Sequence, residues 1–410
     1  MATKTSLQIG IVADDLTSAA DGAGPFLKRG FAAYLHRGPC PQTDEAVIAV
    51  DTGSRNLPEA AAEEAVVQSI TALAGRSLLY KTMDSTLRGH VRAEIVAAFE
   101  ASGRDRLVVA PAFPAAGRQT IGGVQFVGGR PVSETGYGRD PLHPARSSRI
   151  LDLIDPALGP ATILSQRMSD EAVLAALARF RVLIIDADRQ EVLDRRVALV
   201  IQSGSILWVG SPGLAQALAT QIVSLPIRRF GPRPDARRVL IVIGSANAVS
   251  RQQCEILAEN GVPVGEHAAE LDANAEIVCL RAPQAGAGDP AAILAALADE
   301  AQAAMGAQRF DAILATGGDT MGALLQRISI SSLVLSGEFE PGFPFGYGTM
   351  AGAATPLFLA MKSGGFVHPE TLLHAAQRWL PTLPLECARG DRQSCPVRSP
   401  WGTRPASGRK

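Results

Sequence analysis

Short apolar runs alternate with alanine-rich stretches along almost the whole chain. Residues 8–13, 46–50, 78–80, 107–110, 182–185 and 206–209 in the first half are mostly apolar and too short for helices. They read as buried strands. The alanine-rich segments between them carry polar residues at helical spacing, and 92–99 is one such helix. Strand–helix alternation of this kind predicts mainly parallel sheets covered by helices. The pattern lapses over 224–238, SLPIRRFGPRPDARR, which is rich in Pro and Arg and reads as an interdomain linker. It restarts at 239–243, 277–280, 312–315 and 332–335. Residues 386–410 are rich in Arg, Pro and Ser with few apolar positions, so they read as a disordered, weakly basic tail. The predicted fold class is therefore α/β, with domains at 1–226 and 238–385, each a mainly parallel sheet flanked by helices.

Length agrees with two domains, because 410 residues exceed the size at which one core usually keeps growing. Hydrophobic content of 47% against 19% charged residues is that of a globular protein. A net charge of -1 gives no reason to expect a nucleic-acid partner. No apolar stretch is long enough to span a bilayer, and the opening MATKTSLQIG lacks the apolar core of a signal peptide, so the expected location is cytoplasmic. Cys40, Cys254, Cys279, Cys387 and Cys395 form no CxxC pair, and the six histidines no HxxxH, which argues against a disulfide framework and a histidine-held metal.

Candidate chemistry collects where strands end. KTMDSTLRG at 81–89 packs two cations, a carboxylate and three hydroxyls into an expected strand-to-helix turn. Helix capping by Asp84 or Ser85 needs only one such residue, and here Lys81, Asp84, Ser85, Thr86 and Arg88 cluster at a sheet's C-terminal edge, where open α/β proteins place ligands. Asp14 and Asp15 follow the first strand, with Thr17, Ser18 and Asp21 close behind. Carboxylates so close repel one another unless a cation, ligand or N–H group compensates. Long Pro/Gly-rich loops at 110–123 and 138–148 supply Arg118, Gln119, Thr120, Arg139 and Asp140 as anion and hydroxyl partners, or hold a sheet edge or dimer contact. The second half ends strands in GSAN at 244–247 and TGGDT at 316–320, and adds MKSGGF at 361–366. Glycine turns before helices let backbone N–H groups reach a phosphate, and Lys362 adds a point charge. Together they point to a nucleotide, yet neither a Walker A motif nor a clean GxGxxG is present.

The ordered set ADDLTSAAD, KTMDSTLRG, APAFPAAGR, GRDPLHP, GSAN, TGGDT, EFEPGFPFG and KSGGF resembles the four-carbon acid sugar kinases over nearly all of the chain up to about Pro384. The resemblance implies ATP-dependent phosphorylation of the terminal hydroxyl of threonate, erythronate or an oxo-tetronate, in a cleft between an N-terminal substrate domain and a C-terminal nucleotide domain. By motif matching, Asp14, Asp15, Lys81, Asp84 and Arg88 face the acid, with Ser85, Arg118 and Arg139 as further substrate contacts. Ser245, Gly317, Gly318, Asp319, Thr320, Lys362, Gly364 and Gly365 face ATP, and Asp319 is the candidate Mg²⁺ ligand. Arg88 and Lys81 suit the acid's carboxylate or the transferring phosphoryl. Asp84, Asp15 or Asp319 would accept the hydroxyl proton. Ser18 and Val367 stand where the family's motifs usually carry glycine. The expected partner is a small sugar acid, with a homodimer as a further assembly. The competing readings are a nicotinamide-dependent oxidoreductase of hydroxy acids and a non-catalytic sugar-acid-binding protein.

Overall fold

The computed structural model describes residues 7–380 apart from 42, 141–142, 227–235, 245–247, 284–288, 341, 351 and 363–367. The first half holds strands β1 (Ile9–Ala13), β2 (Ala33–Arg37), β3 (Val47–Asp51), β4 (Leu78–Thr82), β5 (Arg106–Ala110), β6 (Arg118–Ile121), β7 (Val124–Val127), β8 (Arg130–Pro131), β9 (Ala161–Leu164), β10 (Val182–Ile185) and β11 (Ile206–Gly210). Its helices are α1 (Leu16–Leu27), α2 (Glu59–Leu73), α3 (Val91–Ser102), α4 (Asp170–Leu177), α5 (Gln190–Val200) and α6 (Pro212–Thr220). The second half holds β12 (Val239–Ile243), β13 (Val264–Gly265), β14 (Ile277–Arg281), β15 (Ala312–Thr316), β16 (Ser332–Glu338), β17 (Pro344–Gly348) and β18 (Leu357–Lys362). Its helices are α7 (Ala248–Glu259), α8 (Pro290–Ala307), α9 (Gly318–Arg327) and α10 (Thr371–Trp379).

Among the described residues fifteen strands form one sheet in the order β13-β14-β12-β15-β18-β17-β16-β2-β3-β1-β4-β11-β5-β10-β9. The first-half strands in it all run parallel, and β1, β3, β4 and β11 are buried at every position. Helices on both faces force that composition. The halves do not form separate sheets: β2 pairs with β16 in antiparallel fashion from Ala33↔Leu335 to His36↔Ser332. One apolar cluster crosses this junction, joining Phe26, Phe31 and Leu35 to Leu333 and Leu335.

Two further sequence expectations are corrected. The segment after β5 is not a structureless loop, since β6, β7 and β8 form a small antiparallel sheet whose Gly122–Gly123 turn donates both N–H groups to Asp186, at 2.7 and 2.8 Å. The strand before the KTMDSTLRG turn continues through Lys81 and Thr82, both buried. The linker's central residues and the tail lie outside the described residues.

Candidate active site

The C-terminal ends of neighbouring β1 and β3 build the first part of the site. Asp15 caps α1 from an extended conformation, accepting from the Ser18 N–H at 2.6 Å and the Thr17 hydroxyl at 3.0 Å. That cap leaves Asp14 unexplained. Its partner is Arg55, a residue the sequence reading missed, in the 3-10 turn Ser54–Asn56 that follows β3. Arg55 Nε donates to Asp14 Oδ2 at 2.8 Å, and Nη1 donates to Asp15. One guanidinium thus compensates two carboxylates. Burial pushes the Asp14 carboxyl upward, but the charges of Arg55 and Lys81 outweigh it and hold the group below its usual range. For Asp15 burial dominates, and with the Asp14 charge it keeps that carboxyl above the usual range despite Arg55. Two adjacent carboxyls are therefore driven apart, which is how acid and base roles become separable.

The second part follows β4. Lys81 points into the interior and ion-pairs with Glu94 of α3 at 2.7 Å, while the Ser54 hydroxyl donates to the same carboxylate at 2.5 Å. Asp84 is not a helix cap, because α3 begins at Val91 after His90, whose side chain makes no cap bond. Asp84 instead folds its own turn, accepting from the Thr86 N–H and hydroxyl, both at 2.8 Å, and from Arg88 Nε at 2.7 Å. Burial raises the Asp84 carboxyl, yet Arg88, Arg55 and the Thr86 bonds lower it overall. Leu87 closes the turn at φ 60°, a left-handed conformation that costs a non-glycine residue about 1–2 kcal/mol. Strain of this kind clusters at functional sites.

Asp14, Lys81, Thr82, Asp84, Arg88 and Glu94 line one small cavity of about 10 Å³, room for about one water molecule. Asp14 Oδ1 and Thr82 Oγ1 are buried without a hydrogen-bond partner. Orphaned polar atoms at such a place call for a donor or acceptor from outside the chain. Arg88 also lies over the Tyr137 ring at 5.4 Å, and the Tyr137 hydroxyl accepts from Arg118 at 3.5 Å, which connects Arg118 to the same cluster. Ser85 is buried, with its carbonyl accepting from Gln125 at 2.7 Å. Arg139 is exposed.

The third part comes from the second half. β15 runs into Gly317, at φ 91°, and α9 begins at Gly318, so the first backbone N–H groups of α9 lie at the C-terminal edge of the sheet. This turn packs on α1. A Cβ added at Gly318 would lie 2.9 Å from Thr17 Oγ1 and 3.3 Å from Thr17 N. Asn56, beside Arg55, donates to Asp319 at 3.0 Å. A larger cavity of about 670 Å³ has Asp14, Asp15, Arg37, Asp51 and Asn56 on one wall and Gly318, Asp319, Gly322 and residues of α8 on the other. Thr320 is buried. Lys362 is fully buried at the end of β18, its carbonyl accepting from the Gly317 N–H at 2.7 Å, and burial pulls its ammonium down to about 8. Ser245, Gly364 and Gly365 lie outside the described residues.

Residues 9–218 match the model of a sugar-binding N-terminal domain and residues 276–372 that of a nucleotide-binding C-terminal domain. The class so defined is an α/β protein pairing a sugar-binding half with a nucleotide-binding half. A D-threonate kinase of Bordetella bronchiseptica is 35% identical over 90% of this chain and 96% of its own. A 3-oxo-tetronate kinase of Brucella melitensis is 27% identical over 88% and 93%. The crystal structure of a Haemophilus influenzae protein covers 90% of this chain and all of its own at a TM-score of 0.68 and 20% identity, a likeness of fold. The chain belongs to the four-carbon acid sugar kinase family.

Proposed function

We propose that this chain transfers the γ-phosphoryl group of ATP to the terminal hydroxyl of a four-carbon sugar acid, with D-threonate the first acid to test. The observation that carries the reading is the juxtaposition of the Asp14–Asp15 cluster with the glycine turn of α9 across one cavity. Relatives named D-threonate kinase and 3-oxo-tetronate kinase narrow the acid to four carbons. In this reading Arg88 draws the acid's carboxylate, Lys81 adds positive charge from its buried pair with Glu94, and the orphaned Asp14 Oδ1 accepts from one of the acid's hydroxyls. Asp15 is the favoured proton acceptor, because its raised carboxyl is a stronger base than Asp84, which Arg88 and Thr86 keep ionised. Asp15 takes the hydroxyl proton as that oxygen bonds to the γ-phosphorus, and ADP departs with the electrons of the broken bridging bond. The N–H groups at the start of α9 and Lys362 hold the phosphates.

Among the described residues no cluster of three His, Cys, Asp or Glu side chains forms a metal cage. Mg²⁺ binds largely through nucleotide phosphates and one or two carboxylates, and Asp319, in the first turn of α9, is the carboxylate that would hold it. Mg²⁺ bound there would neutralise phosphate charge. We place the reaction in the cytoplasm, and no helix among the described residues is long and apolar enough to cross a membrane. A coupled ADP-release screen over D-threonate, D-erythronate and the oxo-tetronates tests the proposal. ADP should appear only when an acid is present. Release of ADP with none of them, or acid-dependent reduction of a nicotinamide cofactor instead, would overturn it.

A further inference from the structure

Among the described residues β2 is the only first-half strand paired with a second-half strand, and its last residue, Arg37, carries contacts that no motif assigned. The Arg37 backbone N–H donates to the Ser331 carbonyl at 2.9 Å. Its Nε donates to Asp51 Oδ2 at 3.1 Å, at the end of β3, and its Nη1 donates to the Gly322 carbonyl of α9 at 2.6 Å. Asp51 is held in turn, accepting from the Gly53 N–H at 2.9 Å. A single rigid fork therefore ties the strand end beside Asp14 to the second turn of α9.

Gly322 shows that the fit is close. A Cβ there would lie 3.2 Å from Arg37 Nη2, tight enough that the guanidinium would have to yield. Arg37, Asp51, Gly318, Asp319 and Gly322 all line the larger cavity. We propose that Arg37 is a positioning residue: it fixes α9, and with it the phosphate-binding turn 317–320, at the distance from Asp15 that transfer requires. Transfer depends steeply on that distance, and a displacement of about 1 Å costs on the order of a hundredfold in rate.

This inference rests on the kinase reading, so its test includes a readout independent of turnover. Arg37→Met, Arg37→Lys and Gly322→Ala are compared with the wild type for steady-state ADP release and for hydrogen exchange of the α9 amides. Arg37→Met should lower kcat about ten- to hundredfold, leave KM for the acid within about twofold, and speed exchange in α9. Arg37→Lys, which cannot span both acceptors, should fall on the same side. Gly322→Ala, which keeps Arg37 but displaces its guanidinium, should act in the same direction, and adding it to Arg37→Met should cause little further loss. A wild-type kcat in Arg37→Met overturns the assignment. So does a raised KM for ATP with unchanged α9 exchange, which would make Arg37 a direct ligand contact. If the wild type itself turns over no acid while Arg37→Met still loosens α9, the kinase reading fails and the tie between Arg37 and α9 stands.

Discussion

Gly318→Ala sets two physical effects against each other. Alanine is the better helix former, so at an unobstructed first position of α9 the change should stabilise the protein by about 0.5–1 kcal/mol. Position 318 is obstructed, because the new Cβ would lie 2.9 Å from Thr17 Oγ1 and 3.3 Å from the Thr17 backbone nitrogen. The first contact is closer than real Cβ atoms approach, and overpacking of this kind costs about 1–3 kcal/mol. Packing should win, leaving a net loss of about 0.5–2 kcal/mol. Because relief comes by moving α9 away from the helix that carries Asp15, the same strain should appear in turnover. One tenfold step in rate corresponds to about 1.4 kcal/mol, so a loss of about two- to thirtyfold in kcat is expected. Thr17→Ala removes the nearer contact, at the cost of the 3.0 Å bond its hydroxyl donates to Asp15. Urea denaturation and ADP release on the wild type, both single variants and the double variant form a cycle, and the double should recover more than 0.5 kcal/mol relative to additivity. A Gly318→Ala protein that is more stable than wild type, equally active and uncoupled to Thr17 would refute the close packing of the two helix starts.

Three further outcomes follow from particular contacts. Lys81→Met strips a buried partner from Glu94 and should cost about 3–5 kcal/mol in urea denaturation, with most of it regained in Lys81→Met/Glu94→Leu; a midpoint within error of wild type would show that the pair does not matter. Asp15→Asn should remove most of kcat, whereas Asp84→Asn, by releasing Arg88, should act first on KM for the acid; the reverse split in steady-state kinetics would exchange their roles. Burial, reinforced by Glu338 and Asp15, raises Asp21 to about 8. The folded chain then holds a proton that the unfolded chain releases near 3.8, so this group's contribution is complete below 3.8 and is lost as pH rises to about 8. Asp21→Asn should flatten the decline in stability over that window, and an unchanged profile would refute the shift.

Much of the sheet was legible because parallel strands covered on both faces must be apolar throughout, and IGIVA, VLII, ILWVG and VLIVI cannot hide that pattern. β2, β7 and β17 escaped notice for the opposite reason. AYLHR and VQFV mix polar with apolar residues, and PFGYG carries Pro and Gly. The antiparallel junction of β2 with β16 has no local signature, since the two strands are distant in sequence and meet only in the folded chain. Candidate residues with a surplus of polarity, such as Asp14, Asp15 and Asp84, stood out. Arg55, Glu94 and Arg37 did not, because an isolated charge on a helix or strand looks like solvated surface until its partner is known. The DTGSRN segment after β3 held a usable hint, in that small and polar residues again follow a strand's C-terminal end. Lys81 read as the first residue of the turn but lies within β4, because a lysine whose charge is met by a helix carboxylate can stay buried inside a strand.

Proton-coupled phosphorus NMR of the protein with ATP, Mg²⁺ and D-threonate tests the central claim most directly, since it reads both the transfer and the oxygen that receives it. Transfer to the terminal hydroxyl places the new phosphate on a carbon bearing two protons. The account predicts a phosphomonoester triplet that grows in step with ADP and is absent without the acid. A doublet would put the phosphate on a secondary hydroxyl, and ADP accompanied only by inorganic phosphate would mean that no sugar acid is phosphorylated; either result would contradict it.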